Sequence, residues 1–485
     1  MTSLLISLYL TCGALLTAYS IGGLTLLLIR LVWCKEALPH QRPTHHPSVT
    51  VQLPVYNEPA VIERLLYAAA ALDYPCERLT IQLLDDSTDA TSQIAAYHIR
   101  RLRERGHTVQ HIRRRNREGF KAGALHHGMM QSPTAYYAIF DADFLPPPDF
   151  LTRTVAYLEA HPSVGMVEGR WGHLNPSDNA LTEAQAMAID AHFVVEQSAR
   201  SAAGLPLNFN GTGGVWRAEC IHKAGGWRSD TLTEDLDLSY RAQLAGWQMK
   251  LLPDLVIPGE LPRSLLAFKR QQFRWAKGTT QCLLQTIGPL WRSRILSLRQ
   301  RLMGTLHLCQ YIPYPLIVMI GLLSPALILT ESLRDLPLAF LTVSSIVPVL
   351  IYTVSQMLQY RNWPRRMLAL PALVVFGTGV AVSNTVAILA AVVGHQGDFQ
   401  RTPKTGGRPG LTYDATAQDT AVILLESSMS LYVGWGAWLA MHSSRAVAPY
   451  LLISAIAYGV VAVQSAYERL SVRRTARKFA NEPHA

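Results

Sequence analysis

Carboxylates at short spacing are the first chemical feature of this chain. Asp141-Ala142-Asp143 sets two hard oxygen ligands one residue apart, a spacing that can hold Mg2+ or Mn2+ and leave positions open for water or phosphate oxygens. Thr233-Glu234-Asp235 is a second acidic group, just ahead of a helical pattern through Leu236, Leu238 and Tyr240. One of its carboxylates could take a proton from a hydroxyl, or the group could simply cap the helix. Basic groups complement them. Arg113-Arg-Arg-Asn-Arg117 runs into Gly119-Phe120-Lys121-Ala122-Gly123, and amide donors with positive charge at a helix start suit a diphosphate. Gln271-Gln-Phe-Arg274-Trp275 offers an arginine able to neutralise a leaving diphosphate and an indole with an apolar face for a sugar ring. Plainer readings stand beside these: a surface acidic pair, a solvated basic face, an interfacial tryptophan.

These residues need a frame. Val49-Thr-Val-Gln-Leu53 reads as a strand, followed by the loop Pro54-Val-Tyr-Asn-Glu-Pro59 and a helical stretch over 61–72. A second strand over 79–84 ends in Asp85-Asp86-Ser87-Thr88-Asp89 and leads to a helix reaching about Arg105. A third over 107–112 precedes the basic loop and the helix from Lys121, and a fourth over 136–140 ends at Asp141. Alternating strand and helix predicts an α/β domain with a mostly parallel sheet and right-handed crossovers. Ligands bind such sheets beyond the carboxyl ends of the strands, where Asn57/Glu58, Asp85/Asp86 and Asp141/Asp143 converge. Phe209-Asn210-Gly-Thr-Gly-Gly214 supplies backbone that a substrate can approach closely.

Composition places this domain against a membrane. The 485 residues are 49% hydrophobic and only 16% charged, well under the charge of an average soluble chain. The run from Ser3 to Leu28 carries no charge, is followed by Arg30 and Lys35, and is long enough to span a lipid bilayer. Residues 1–34 are thus expected to be a transmembrane helix and 35–300 a cytoplasmic domain. Apolar runs return over 303–330, 337–356, 368–394, 420–442 and 446–467 within a membrane region of 301–485. Arginines at 361, 365 and 366 and the basic tail should both be cytoplasmic. Parity then requires 368–394, interrupted by Pro371, Gly377, Gly379, Ser383 and Asn384, to enter the bilayer without crossing. Five crossings remain. The excess of 44 Lys+Arg over 34 Asp+Glu fits membrane flanks and a diphosphate-binding face, and no motif points to nucleic acid. The six cysteines form no CxxC pair, so neither a zinc site nor a disulfide framework is expected.

In this order, Gly119-Phe-Lys-Ala-Gly-Ala-Leu125, Ile139-Phe-Asp-Ala-Asp-Phe144, Arg170-Trp171, His192-Phe193, Glu196-Gln197, Phe209–Arg217 and Gln271-x-x-Arg274-Trp275 resemble the membrane-embedded family 2 glycosyltransferases, the group of cellulose, hyaluronan and mannan synthases. The likeness is nearest to the plant glucomannan 4-β-mannosyltransferases of cellulose synthase-like group A. It implies a GT-A type domain set between transmembrane helices and a residue-by-residue set of roles. Tyr56, Glu58 and Asp86 would contact the nucleoside, with Lys121 and Arg274 on the diphosphate. Asp141 and Asp143 would hold Mg2+ or Mn2+, and Asp235 would be the general base. Trp275, Gln271 and Asn210 would meet the acceptor. Phe399-Gln-Arg401-Thr402-Pro-Lys404, within 395–417, resembles a gating loop that closes over the nucleotide. One stretch departs from the plant pattern: Val-Glu-Gly precedes Arg170 where those relatives usually show Val-Gln-Ala.

The resemblance implies single-displacement transfer of a hexose from GDP-mannose or UDP-glucose to a growing β-linked polysaccharide, β-1,4-mannan or glucan, moved through the membrane. The partners would be a nucleotide sugar, a polysaccharide acceptor and the bilayer. A nonprocessive enzyme acting on a lipid acceptor is the alternative, separable by product size.

Overall fold

A computed structural model describes residues 2–33, 45–333, 336, 339–394, 417–443 and 445–481. Phe399, Arg401, Thr402 and Lys404 lie outside the described residues.

Seven strands form one sheet: β1 Val49–Val55, β2 Leu79–Asp85, β3 Val109–Arg113, β4 Tyr136–Ile139, β5 Val164–His173, β6 Gly214–Arg217 and β7 Gln248–Gly259. Their order is β3-β2-β1-β4-β6-β5-β7, with β6 antiparallel to both neighbours and every other pair parallel. The first four agree with the sequence pattern to within a residue or two. β5, β6 and β7, which continue the sheet past β4, were not anticipated from it.

Burial on both faces makes β1 a continuous core strand. Val49, Val51 and Leu53 pack with Leu65, Leu66 and Phe150 on one side. On the other, a ladder of amides crosses the strands: Gln52 Nε2 donates to Gln82 Oε1 at 3.1 Å, and Gln82 Nε2 to Gln110 Oε1 at 3.0 Å. The same nitrogens donate to the Leu125 and Gly128 carbonyls of the helix Phe120–Gln131. These bonds satisfy polar groups that would otherwise be costly to bury and fix that helix on the sheet. Gly128 is needed for the approach, since a Cβ there would stand 2.6 Å from Gln52 Nε2.

By length and apolarity, Thr2–Trp33, Thr342–Gln359, Trp363–Val392, Asp419–Ser443 and Ala448–Ser471 can each cross a membrane, and the pair Leu298–Leu308 and Pro313–Leu329, bent by 60°, would be a further span if taken as one. This is the pattern of a multi-pass membrane protein. Between domain and bundle lies the helix Leu265–Arg292, which packs on Glu234–Leu244 from the sheet domain and on Ala381–Val392 and Ala448–Asn481 from the bundle. Asp190 sits at the same seam. It is fully buried and accepts from His173 Nε2 at 3.0 Å, Gln356 Nε2 at 3.1 Å, Gln359 Nε2 at 3.1 Å and Arg366 Nη2 at 3.3 Å. Burial raises its pKa, but these donors outweigh that and hold the carboxyl below its ordinary range.

Candidate active site

An open cleft of about 1350 Å3 lies over the carboxyl ends of β1, β2 and β4. Tyr56, Glu58, Asp86, Lys121, Asp141, Asp143, Asn210, Asp235, Gln271, Arg274 and Trp275 all line it. These positions, from 56 to 275, are thus brought together, whereas Asn57 and Asp85, also expected at the strand ends, do not line the cleft.

The two aspartates after β2 separate. Asp85 is buried and accepts from His111 Nε2 at 2.8 Å, Ser92 Oγ at 2.6 Å and Ser87 N at 2.9 Å. Burial works against its charge, yet those donors bring the carboxyl down to about 2. Its work is to hold the β2 end. Asp86 faces the cleft and takes a paired contact from the Arg114 guanidinium, with Nε to Oδ1 at 3.0 Å. Arg117 lays its guanidinium over the Tyr56 ring at 3.4 Å from the centroid. The basic loop therefore serves this end of the cleft through Arg114 and Arg117, two members of the run of arginines read from the sequence.

Gly119 and Phe120 begin the next helix at φ +69 and +47, an unfavourable conformation for a bulky residue. The turn delivers Lys121 into the cleft, where Nζ donates to Asp141 Oδ1 at 2.6 Å and to the Gly211 carbonyl at 2.8 Å, with Glu234 Oε1 3.8 Å away. Burial lowers the ammonium's pKa; Asp141, Glu234 and Asp235 outweigh it, and the net shift is upward. Asp141 is anchored through its own N–H, which donates to Thr212 Oγ1 at 2.9 Å.

Asp235 opens the helix Glu234–Leu244 beside this cation. Burial first, then the neighbouring Glu234 charge, pushes its carboxyl up to about 7, against the pull of Lys121 and the Leu236 N–H. A carboxylate tuned to that range can accept a proton at working pH. Gly211 lies under it at φ +91, and a Cβ there would stand 2.8 Å from Asp235 Oδ2. The approach of backbone to base is thus closed to any other L-residue.

Asn210 is held from both sides. Its N–H and Nδ2 donate to the two oxygens of Glu168 at 2.9 and 3.0 Å, and its Oδ1 lies 3.0 Å from His192 Nε2. Glu168 is fully buried. Burial raises its pKa well above the usual range, with Asn210 opposing and Asp235 adding. His192 begins a π-turn, His192–Gln197, with Glu196 Oε2 3.3 Å from its Nδ1, a local winding common at functional sites. The role of Glu168 was missed from sequence, although a lone acid inside an apolar strand was the available signal.

Asp141 and Asp143 are hard donors on one rim. Among the described residues no three His, Cys, Asp or Glu side chains gather as a metal cluster. Two carboxylates facing a cleft that would admit a diphosphate fit a cation completed by substrate oxygens and water.

A mostly parallel α/β domain with this carboxylate-rimmed cleft, set among apolar helices, has a GT-A-like fold. Residues 46–278 match the model of a family described as glycosyltransferase like family 2. The chain is 38% identical over 286 residues to glucomannan 4-beta-mannosyltransferase 2 of Arabidopsis thaliana, covering 56% of this chain and 54% of that protein. It is 42% identical over 257 residues to glucomannan 4-beta-mannosyltransferase 7 of the same plant, covering 52% and 46%. The chain thus spans about half the length of these relatives. In structure it resembles a mannosyltransferase from Pyrobaculum calidifontis, solved with GDP-Man and Mn2+, at a TM-score of 0.54 and 21% identity over 80% of this chain and all of that one.

Proposed function

We propose that the protein transfers a hexose with inversion from a nucleotide sugar to the end of a growing β-linked polysaccharide, a β-1,4-mannan or glucan, and passes the product through the membrane. The observation that carries the reading is Asp235, tuned to about 7, in one cleft with Lys121, Arg274 and Trp275. Relatives named as mannosyltransferases favour a mannose over a glucose donor.

In this mechanism Tyr56, Glu58 and Asp86 take the nucleoside, and Trp275 carries the acceptor sugar on its face with Gln271 and Asn210 at its hydroxyls. Asp235 accepts the proton of the acceptor hydroxyl as that oxygen bonds to the anomeric carbon. The bond from that carbon to the diphosphate breaks in the same displacement, so an α-linked donor gives a β-linked product. General-base help of this kind is worth about 10²–10⁴-fold. Lys121 and Arg274 meet the charge growing on the departing nucleoside diphosphate. Asp141 and Asp143 would hold Mg2+ or Mn2+, which when bound supplies further positive charge at the diphosphate.

The same proposal keeps the catalytic domain in the cytoplasm, with five crossings and a segment, 368–394, that does not cross. Contacts at the helix ends support it. Gln356 and Gln359 close one membrane helix against Asp190 of the sheet domain, while Asp419 begins the helix Ala417–Ser443 against Arg270 of the interface helix, 2.7 Å apart. Contacts of both ends with the sheet domain and its interface helix support an even number of crossings between them.

Transfer of radiolabel from a panel of sugar nucleotides into purified protein in lipid, with products sized, tests the reading. Long chains are expected. Products that stop at one or two sugars would move the assignment to a lipid acceptor.

A further inference from the structure

The interface helix Leu265–Arg292 brings Gln271, Arg274 and Trp275 to the cleft, yet what fixes its first turns comes from the far end of the chain. Glu468, on the last helix Ala448–Asn481, accepts from the free amides of Leu265 and Leu266 at 2.9 and 3.0 Å, one on each carboxylate oxygen. Lys269 Nζ donates to Glu426 Oε2 at 2.8 Å and to Ser465 Oγ at 3.2 Å. Arg270 Nη2 donates to Asp419 at 2.7 Å. Asp419 and Glu426 belong to the helix Ala417–Ser443, which packs on Ala448–Asn481 as a hairpin. Lys269 is 6% exposed and Glu426 fully buried.

We propose that this hairpin sets the position of Arg274 and Trp275 in the cleft, with Lys269, Arg270, Asp419, Glu426 and Glu468 as positioning residues for sugar transfer. The proposal rests on the roles given above to Arg274 and Trp275. Three carboxylates from two membrane helices grip successive points on the first two turns of one helix. Trp275 follows Lys269 by a rise of about 9 Å, so a tilt or slide of those turns carries directly to the acceptor face. A buried ion pair contributes little net stability compared with an apolar pair of similar volume, and its better-attested use is to fix register. Two amides on one carboxylate likewise anchor a helix start more firmly than a neutral cap does. The nucleoside end of the cleft, Tyr56, Asp86 and Arg117, is built on other elements and should not feel the change.

The decisive variant is Lys269→Met with Glu426→Leu in the full chain in lipid, which removes both charges and keeps the volume. We expect its thermal midpoint near that of the wild type, and kcat lower by at least about tenfold with a smaller change in donor KM, since a misplacement of about 1 Å can cost 10²-fold. A kcat within about twofold of wild type in that protein, or a kcat that merely tracks the midpoint, overturns the proposal. Should the double variant not fold, Glu468→Gln decides: it keeps the shape but leaves one acceptor oxygen for two amides. A kcat lower by about threefold or more, with a smaller change in donor KM and an unchanged thermal midpoint, supports positioning, and a wild-type kcat overturns it. A wild-type protein that transfers from no sugar nucleotide overturns the proposed function and this inference with it; wild-type transfer with unaffected variants removes only the inference.

Discussion

Asp235 carries opposite demands in one side chain. Burial and the Glu234 charge raise its pKa to about 7, which readies it to take a proton and makes its ionised form costly to the fold. Its pKa in the folded chain exceeds the ordinary aspartate value, so the folded state holds an extra proton between about pH 4 and 7. Stability from this group is present below that window and is lost as pH rises through 7. Asp235→Asn should therefore abolish transfer, leaving under about a tenth of wild-type turnover, while nucleotide binding is kept. It should also raise the thermal midpoint more at pH 8 than at pH 5. Glu234→Gln should move the acid limb of the rate profile to lower pH, because it removes the nearest like charge. In the pair after β4, Asp143→Ala should remove activity together with its dependence on divalent cation. Wild-type transfer that survives thorough chelation would contradict the metal reading, since two carboxylates alone do not neutralise a leaving diphosphate.

At the scale of elements, the site is a set of turns pressed close to one another. Gly211→Ala tests this directly. The residue has φ +91, and the added methyl would lie 2.8 Å from Asp235 Oδ2, so both backbone strain and collision oppose it. A loss of about 1–3 kcal/mol in stability is expected from the strain, and turnover should fall by more than about tenfold as the base is displaced. Chemical denaturation and initial rates measure the two separately. These turns also show what was legible in sequence. Strands β1, β2 and β4 each end in a polar cluster after a largely apolar run, and that local pattern points to the cleft. β5 to β7 were not read because Gly165, Gly169 and Gly172 break up the apolar run of β5, and β6 has only the 4 residues Gly214–Arg217. What holds the pieces was illegible for another reason. Glu168 with Asn210, Arg114 with Asp86 and Lys269 with Glu426 are pairings over long sequence separations, and no periodicity encodes a partner.

For the whole molecule, the question is how the cleft and the apolar helices share one chain. Trp363–Val392 is long and apolar enough to cross, yet residues on either side of it contact the sheet domain and the interface helix. Arg366 reaches the buried Asp190, and Asp419 meets Arg270 of the interface helix. A single crossing between these points would have to undo one of those contacts. The stretch Leu370–Gly379 packs on both Ala448–Asn481 of the bundle and Ala180–Ala191 of the sheet domain, and Ala381–Val392 on both the interface helix and Pro313–Leu329, an arrangement open to a segment that lies along the seam. If it does not cross, a cysteine placed at Thr405 should be labelled from the cytoplasmic side alone, in a background stripped of other reactive thiols. Lys404→Ala should then slow turnover while leaving stability within about 0.5 kcal/mol. With six crossings, the same residue and the basic tail would both stand outside, against the charge bias that orients membrane helices. Lys404 would also be separated from any cytoplasmic nucleotide by a hydrocarbon core of about 30 Å. Labelling of Thr405→Cys from outside in intact cells would overturn the five-crossing arrangement and, with it, any role for the 395–417 loop in closing over the donor.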